Sequence, residues 1–318
     1  MSSLPPGVAK SLNETKVDYR LLGASGLRVS VPIVGCMSIG NPEWANWVIG
    51  PEKAIPLLKA AYDRGVNTAW SCVGEEQFHA YPILDKLRQT KDYVNQFDLS
   101  RSALFTAVNK SLERLETDYI DVFWIHRFDP YTPIEETMRA LHDLVTAGRI
   151  RYIGASSMWT WQFAMMQFCA EKNGWTKFVA MQNHYSLLYR EEEREMNKFC
   201  EATGVAIIPW GPLAEGKLAR PAKAQGTTSR SAGTVVETLR PESVDIINRV
   251  EELAKRKDWT MSQVTLAWTQ KRVTSPIIGF SSVERLDEAL SARGKELTAE
   301  EEAYLEKPYT PLEVEGHF

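Results

Sequence analysis

His126, Ser156, Ser157, Gln182 and Trp210 each stand at the end of a short apolar run, where a β-strand would hand over to a loop. A histidine so placed, acting as a neutral donor, could orient a carbonyl oxygen or share in a proton transfer; the plain alternative is a satisfied structural histidine. The Ser156 hydroxyl and the Gln182 amide could cap the helices that follow them. On neighbouring strands they are also the groups that would hold a planar carboxamide such as that of nicotinamide.

Two further stretches could bind phosphate. Gly211, Pro212, Leu213, Ala214, Glu215, Gly216, Lys217, Leu218, Ala219, Arg220 and Pro221 follow Trp210 directly. A glycine-bearing loop leaving a strand exposes backbone N–H groups that can cradle a pyrophosphate, with Lys217 and Arg220 supplying charge. The run Gly279, Phe280, Ser281, Ser282 leads to Arg285 and Asp287. Ser281 and Ser282 can cap a helix whose positive end faces a phosphate; an ordinary cap with a solvated arginine is the simpler reading. Both stretches follow the last two strands, where parallel barrels frequently bind phosphate.

These residues need a scaffold of parallel strands. Seven segments supply it: Val31–Cys36, Val66–Trp70, Ile120–Ile125, Tyr152–Ser156, Phe178–Gln182, Val205–Trp210 and Pro276–Gly279. All are short and rich in branched or aromatic residues, as buried parallel strands are. Helical spacing predicts a helix over 51–64 with Ile55, Leu58 and Ala61 or Tyr62 on its core face, stopped by Gly65. A second helix is predicted over 100–117, capped by Ser100 and burying Leu104, Val108, Leu112 and Leu115. Alternating strands and helices imply right-handed crossovers and a parallel sheet. The beat breaks once, between Trp70 and Tyr119.

The length of 318 residues, 44% of them hydrophobic, suits a single (β/α)8 barrel domain of roughly 250 residues plus insertions. One insertion is the long loop at 211–242 on the phosphate side. An open nucleotide-binding sheet would carry Gly-x-Gly-x-x-Gly after its first strand, and Gly35 and Gly40 have the wrong spacing. A net charge of −4 and a pI near 5.9, with no basic block, argue against a nucleic-acid partner. No stretch reaches membrane-spanning length and the first residues form no secretory signal, so a cytoplasmic protein is expected. Cys36, Cys72, Cys169 and Cys200 form no Cys-x-x-Cys pair, which suggests neither a zinc site nor a disulfide framework.

Nearly the whole chain resembles the aldo-keto reductases, and among them the fungal branch of aryl-alcohol dehydrogenases and norsolorinic acid reductase-like enzymes. The resemblance is carried by Thr117–Pro130, Gly148–Ser157, Met181–Asn183, Tyr189–Glu195 and Ile208–Gly216. It implies a (β/α)8 barrel that binds NADP(H) and passes hydride between nicotinamide and an aromatic or polyketide-like aldehyde or ketone, or its alcohol, in secondary metabolism. By resemblance, His126 orients the substrate, Ser156 and Gln182 hold the carboxamide, and Trp210 stacks on the nicotinamide. Gly211–Pro221 is then the pyrophosphate loop and Gly279–Asp287 the adenosine phosphate segment. Ser157 replaces the family's usual Asn.

The resemblance also locates what is missing. The family follows Gly-Val-Asn-Thr with an aromatic residue, a catalytic Asp and then a Tyr, and a later strand ends in Thr-Lys. Here Gly65–Thr68 runs into Ala69, Trp70 and Ser71, and the resemblance resumes near Gly74 and Glu75, beyond the family's Lys. The proton-donating Tyr, its Lys and Asp partners, the second helix and the third strand have no counterparts. The expectation is an incomplete barrel with impaired activity. Within the break His79 is the remaining candidate acid, with a solvated loop histidine as its simpler reading. A noncatalytic NADP(H)-binding protein and a truncated gene product stay open as alternatives.

Overall fold

A computed structural model describes residues 14–70, 98–228 and 239–317. The chain opens with an antiparallel hairpin, β1 (Asp18–Leu21) and β2 (Arg28–Val31). The hairpin lies across the bottom of the main sheet. Its turn is tied to the start of a later strand by Ala24 N–H donating to Gly204 O, and Arg20 donates to the carbonyls of Gln270, Val273 and Thr274.

Seven parallel strands follow, and each falls on one of the seven predicted segments: β3 (Ile33–Gly35), β4 (Ala69–Trp70), β5 (Ile120–Ile125), β6 (Ile150–Ser156), β7 (Phe178–Gln182), β8 (Ala206–Ile207) and β9 (Ile277–Gly279). They form two sheets, ordered β4-β3-β9 and β5-β6-β7-β8. Past the end of β8, Ile277 N–H donates to Pro209 O at 2.9 Å, so β8 and β9 are neighbours and the two sheets run as one arc. At the other end the arc is open: among the described residues β4 and β5 do not pair, and no closed barrel is formed. The break predicted between Trp70 and Tyr119 therefore coincides with the place where, among the described residues, β4 and β5 do not pair. Residues 71–97, including His79 and Cys72, lie outside the described residues.

Helices cover the outside of the arc. They are α1 (Pro51–Asp63), α2 (Arg101–Leu115), α3 (Ile134–Thr146), α4 (Thr160–Asn173), α5 (Met196–Thr203), α6 (Pro241–Lys257), α7 (Met261–Arg272), α8 (Val283–Leu290) and α9 (Ala299–Glu306). The Ser100 hydroxyl caps α2 as predicted, accepting from Ala103 N–H. Leu104, Val108 and Leu112 are buried, whereas Leu115 is exposed because the helix ends there and Glu116 turns into the left-handed conformation. The α1 expectation needs a larger correction. Its buried face is Ala54, Leu57 and Ala61, with Leu58 packed on the same core, so Ala61 and Leu58 fall as expected, while Ile55 and Tyr62 are exposed. Small residues let the helix lie close to its neighbour α8, and that closeness decides the face ahead of hydrophobicity alone.

Outside the arc, one large core joins β5–β8 to α2–α7, and a second joins β3 and β9 to α1 and α8. Inside it, Leu22 and Val29 from the hairpin meet Ile33, Ala180, Ala206, Ile208 and Ile277, with Trp70, Val122 and Trp124 packed on the open side. Gly154 on β6 allows this inner packing, since a Cβ there would sit 2.4 Å from the Trp124 ring. Gly154→Ala is expected to cost roughly 1–3 kcal/mol through forced repacking. It should lower the urea midpoint while leaving the m-value unchanged.

Candidate active site

The ladder between β5 and β8 brings the strand ends level. Ile125 pairs with Ala155, Ser156 with Gln182, and Met181 with Ile207. His126, Ser156, Ser157, Gln182 and Trp210 thus share the C-terminal rim, where parallel barrels place their chemistry. The Ser156 hydroxyl donates to Gln182 O at 2.7 Å. Arg127 Nη1 donates to His126 O at 2.6 Å and reaches Ser156 Oγ at 3.4 Å. Burial, with a smaller contribution from the Arg127 charge, pushes the His126 pKa down to about 4, so its imidazole is neutral at physiological pH. A neutral imidazole donates a hydrogen bond to a carbonyl oxygen but is a poor source of a proton.

Gln182 is fully buried, and its Nε2 has no hydrogen-bond partner among the described residues. Leaving a buried amide donor unmade is costly, and a ligand carbonyl would satisfy it. Ser157 stands in a left-handed conformation, φ 22°, and accepts from Trp210 Nε1 at 3.2 Å. Serine at this position is therefore engaged in anchoring the indole. The ladder carries on past the strands: Trp210 N–H donates to Asn183 O and Tyr185 N–H to Trp210 O. This fixes the backbone of Trp210 against β7.

The loop after Trp210 is held open by its backbone. Gly211 has φ +69°, and Ala214, Glu215 and Gly216 follow with φ of 47°, 58° and 90°. Leu218 and Ala214 are buried in the large core and Leu213 packs toward α1 and α8, so their side chains fasten the loop. Arg220 donates to Thr228 at 3.0 Å. Burial and the nearby Arg285 charge both lower the Arg220 pKa. Two guanidiniums near each other repel, and a bound anion would relieve the repulsion.

On β9's side Ser282 caps α8 by accepting from Arg285 N–H, as predicted. Phe280 is buried in the second core. The Asp287 carboxylate is engaged by Arg64 at 2.6 and 2.7 Å and approached by Lys16 at 3.5 Å, a pairing that ties α8 to α1. The side chains present therefore fit a nicotinamide dinucleotide: Gln182 Nε2 to donate to a carboxamide oxygen and Ser156 Oγ to accept from its amide N–H, Trp210 for the ring, the 211–217 backbone with Lys217 for a pyrophosphate, and Arg220 with Arg285 for a further phosphate. Among the described residues no group of His, Cys, Asp and Glu could hold a metal, and no helix is long and apolar enough to cross a membrane.

Several residues at this rim escape a reading of strand ends. His184 stacks on Trp210, and the chain end brings Glu315 and His317 back to the same face, where His317 Nε2 lies 2.8 Å from Glu192 Oε1. Glu191, also buried, accepts from Tyr309 and from Leu312 N–H. The one signal in the sequence was the run Glu191–Glu193, acidic residues that a surface helix turn would normally expose.

An α/β arc with a neutral histidine, a partnerless buried amide and an arginine-flanked glycine loop on its C-terminal rim is the layout of a nucleotide-dependent oxidoreductase. The chain belongs to the aldo/keto reductase family, whose sequence profile matches residues 77–309. It is 49% identical to an aldo-keto reductase of Fusarium vanettenii, covering 99% of this chain and 97% of that protein. It is 50% identical to one of Metarhizium robertsii, at the same coverage. To the versiconal hemiacetal acetate reductase of Aspergillus parasiticus it is 41% identical over 94% of this chain and 98% of that protein. The Fusarium match extends over 359 residues although this chain has 318, so that relative carries residues without counterparts here.

The lowered His126 pKa has a consequence for stability. An unfolded histidine binds its proton near pH 6.5 and the folded one near 4. The folded state therefore binds fewer protons between these values, and stability falls as pH drops through the window, by up to about 3 kcal/mol. His126→Gln is expected to flatten this slope in urea titrations, and NMR of His126 should show no titration above pH 5 or so.

Proposed function

We propose that the chain binds NADP(H) along the ends of β6 to β9 and acts on a small carbonyl or alcohol presented to His126. The observation that carries this reading is the buried Gln182 amide without a partner, set beside Ser156 and the anchored Trp210. NADPH, when bound, supplies hydride to the carbonyl carbon. The chain's own residues then have separate tasks: Gln182 and Ser156 orient the carboxamide, Arg220 and Arg285 hold phosphate, and neutral His126 donates a hydrogen bond to the carbonyl oxygen.

As the carbonyl π bond breaks, its oxygen becomes an alkoxide and needs a proton. His126 holds its remaining proton too firmly for that role at neutral pH, and Trp70 stands where the family's Asp is expected. We place the residues that the Fusarium relative has in excess between Trp70 and Asp98, where the two sheet edges fail to pair. On this reading the proton comes from water and turnover is slow. A relative named for versiconal hemiacetal acetate supports trying aromatic and polyketide-like carbonyls first, in a secondary-metabolic and cytoplasmic setting.

NADPH is expected to quench the intrinsic tryptophan fluorescence, with most of the quenching lost in Trp210→Phe. Turnover of an aromatic aldehyde should run roughly 10²–10⁴-fold below that of the Fusarium relative assayed alongside, the range one general acid contributes. It should rise as pH falls from alkaline to neutral. The departure at Trp70 also favours a second reading, a noncatalytic NADP(H)-binding protein, and binding without any turnover would establish that reading over the first. Failure to bind NADPH would refute both.

A further inference from the structure

The aromatic platform at the rim is deeper than one residue. His184 lies between Tyr189 and Trp210 in a parallel stack, with ring centroids 4.3 Å and 4.1 Å away and interplanar angles of 11° and 9°. Trp210 therefore has one face covered by His184 and its edge held by the Ser157 hydroxyl. Among the described residues no second ring stacks on its other face. Gly211 makes the contact with His184 possible: any Cβ there would come within 3.2 Å of His184 Cδ2.

The far side of the stack is fastened by the end of the chain. The Tyr189 hydroxyl accepts from Glu315 N–H at 2.8 Å. The Glu315 carboxylate lies 3.4 Å from His184 Nδ1. His184 chiefly, and Lys217 of the glycine loop more weakly, hold the Glu315 carboxyl below the usual range. One carboxylate from the tail thus faces both the stack behind Trp210 and the loop assigned to pyrophosphate.

We propose that His184 is a positioning residue for the nicotinamide end of the cofactor, holding the Trp210 indole through the Tyr189–His184–Trp210 stack with Glu315 as its anchor. The proposal rests on the NADP(H) reading above and adds a task to residues that the reading does not use. Its physical basis is pre-organisation. An indole fixed on one face and one edge loses little freedom when a planar ring settles on the other face, whereas a free indole must be ordered at the moment of binding.

Two ligands separate this role from a merely structural one: NADPH, and 2′-phospho-ADP-ribose, which has the same phosphates but no nicotinamide. His184→Ala should weaken NADPH by roughly 3- to 10-fold, the worth of one aromatic stack, and leave 2′-phospho-ADP-ribose unchanged. His184→Phe, which keeps the stack, should recover most of the loss, and Glu315→Gln should fall between wild type and His184→Ala. Equal weakening of both ligands, or no weakening of NADPH, would overturn the positioning role. Should the wild type bind neither ligand, the cofactor reading itself fails and takes this inference with it. If it binds 2′-phospho-ADP-ribose as tightly as NADPH, the phosphate half of the reading stands and His184 has no nicotinamide to position.

Discussion

The register of four parallel strands is the constraint from which the rest of this face follows. Backbone ladders hold β5 to β8 so that Ile125, Ala155 and Met181 lie side by side, and the residue after each pair is delivered to the same rim. A shift of one residue would turn every side chain to the opposite face. His126, Ser156 and Gln182 would then point away from the cleft, and Trp210 would lose the Asn183 carbonyl that receives its N–H. The chemistry of the rim is thus set by hydrogen bonds in which no reactive side chain takes part. Helices α3 and α4 press on the back of these strands through residues such as Leu141, Leu144 and Phe163, and that packing prevents such a slip.

The strands were legible because a buried parallel strand has few alternatives: branched and aromatic runs of this length have nowhere else to go. All seven segments became strands for that reason. Helix faces were less legible. In α1 the expected stripe of Ile55, Leu58 and Ala61 or Tyr62 overlaps the buried one of Ala54, Leu57 and Ala61, and the proximity of α8 chooses between the residues that differ. Leu115 failed at a helix end, where the left-handed Glu116 turns the chain before the stripe is complete.

Long-range contacts at the rim were least legible. Ser157 differs from the family's Asn, which in sequence reads as a weakened amide contact, yet in the structure it is the partner of Trp210. The pairs Glu315 with His184 and His317 with Glu192 join positions more than a hundred residues apart. No periodicity connects such residues, because nothing local depends on the pairing. Asp287 shows the opposite case. It lies in a segment carried over as phosphate-binding, but its carboxylate is engaged in ion pairs with Arg64 and Lys16.

The arc separates two kinds of work in space. Every group suited to holding the cofactor sits on β6, β7, β8, β9 or the loops that leave them, a continuous run of neighbours joined by ladder bonds and by Ile277 N–H to Pro209 O. The break predicted from the sequence falls at the opposite side, after Trp70 on β4. Cores are close-packed and transmit strain, and the residues beside the gap between β4 and β5 are Trp70, Val122 and Trp124, all of them only partly buried. The cofactor side keeps its fully buried neighbours Ala180, Met181 and Ile153. The groups proposed to hold the cofactor and the break predicted from the sequence therefore fall on different strands.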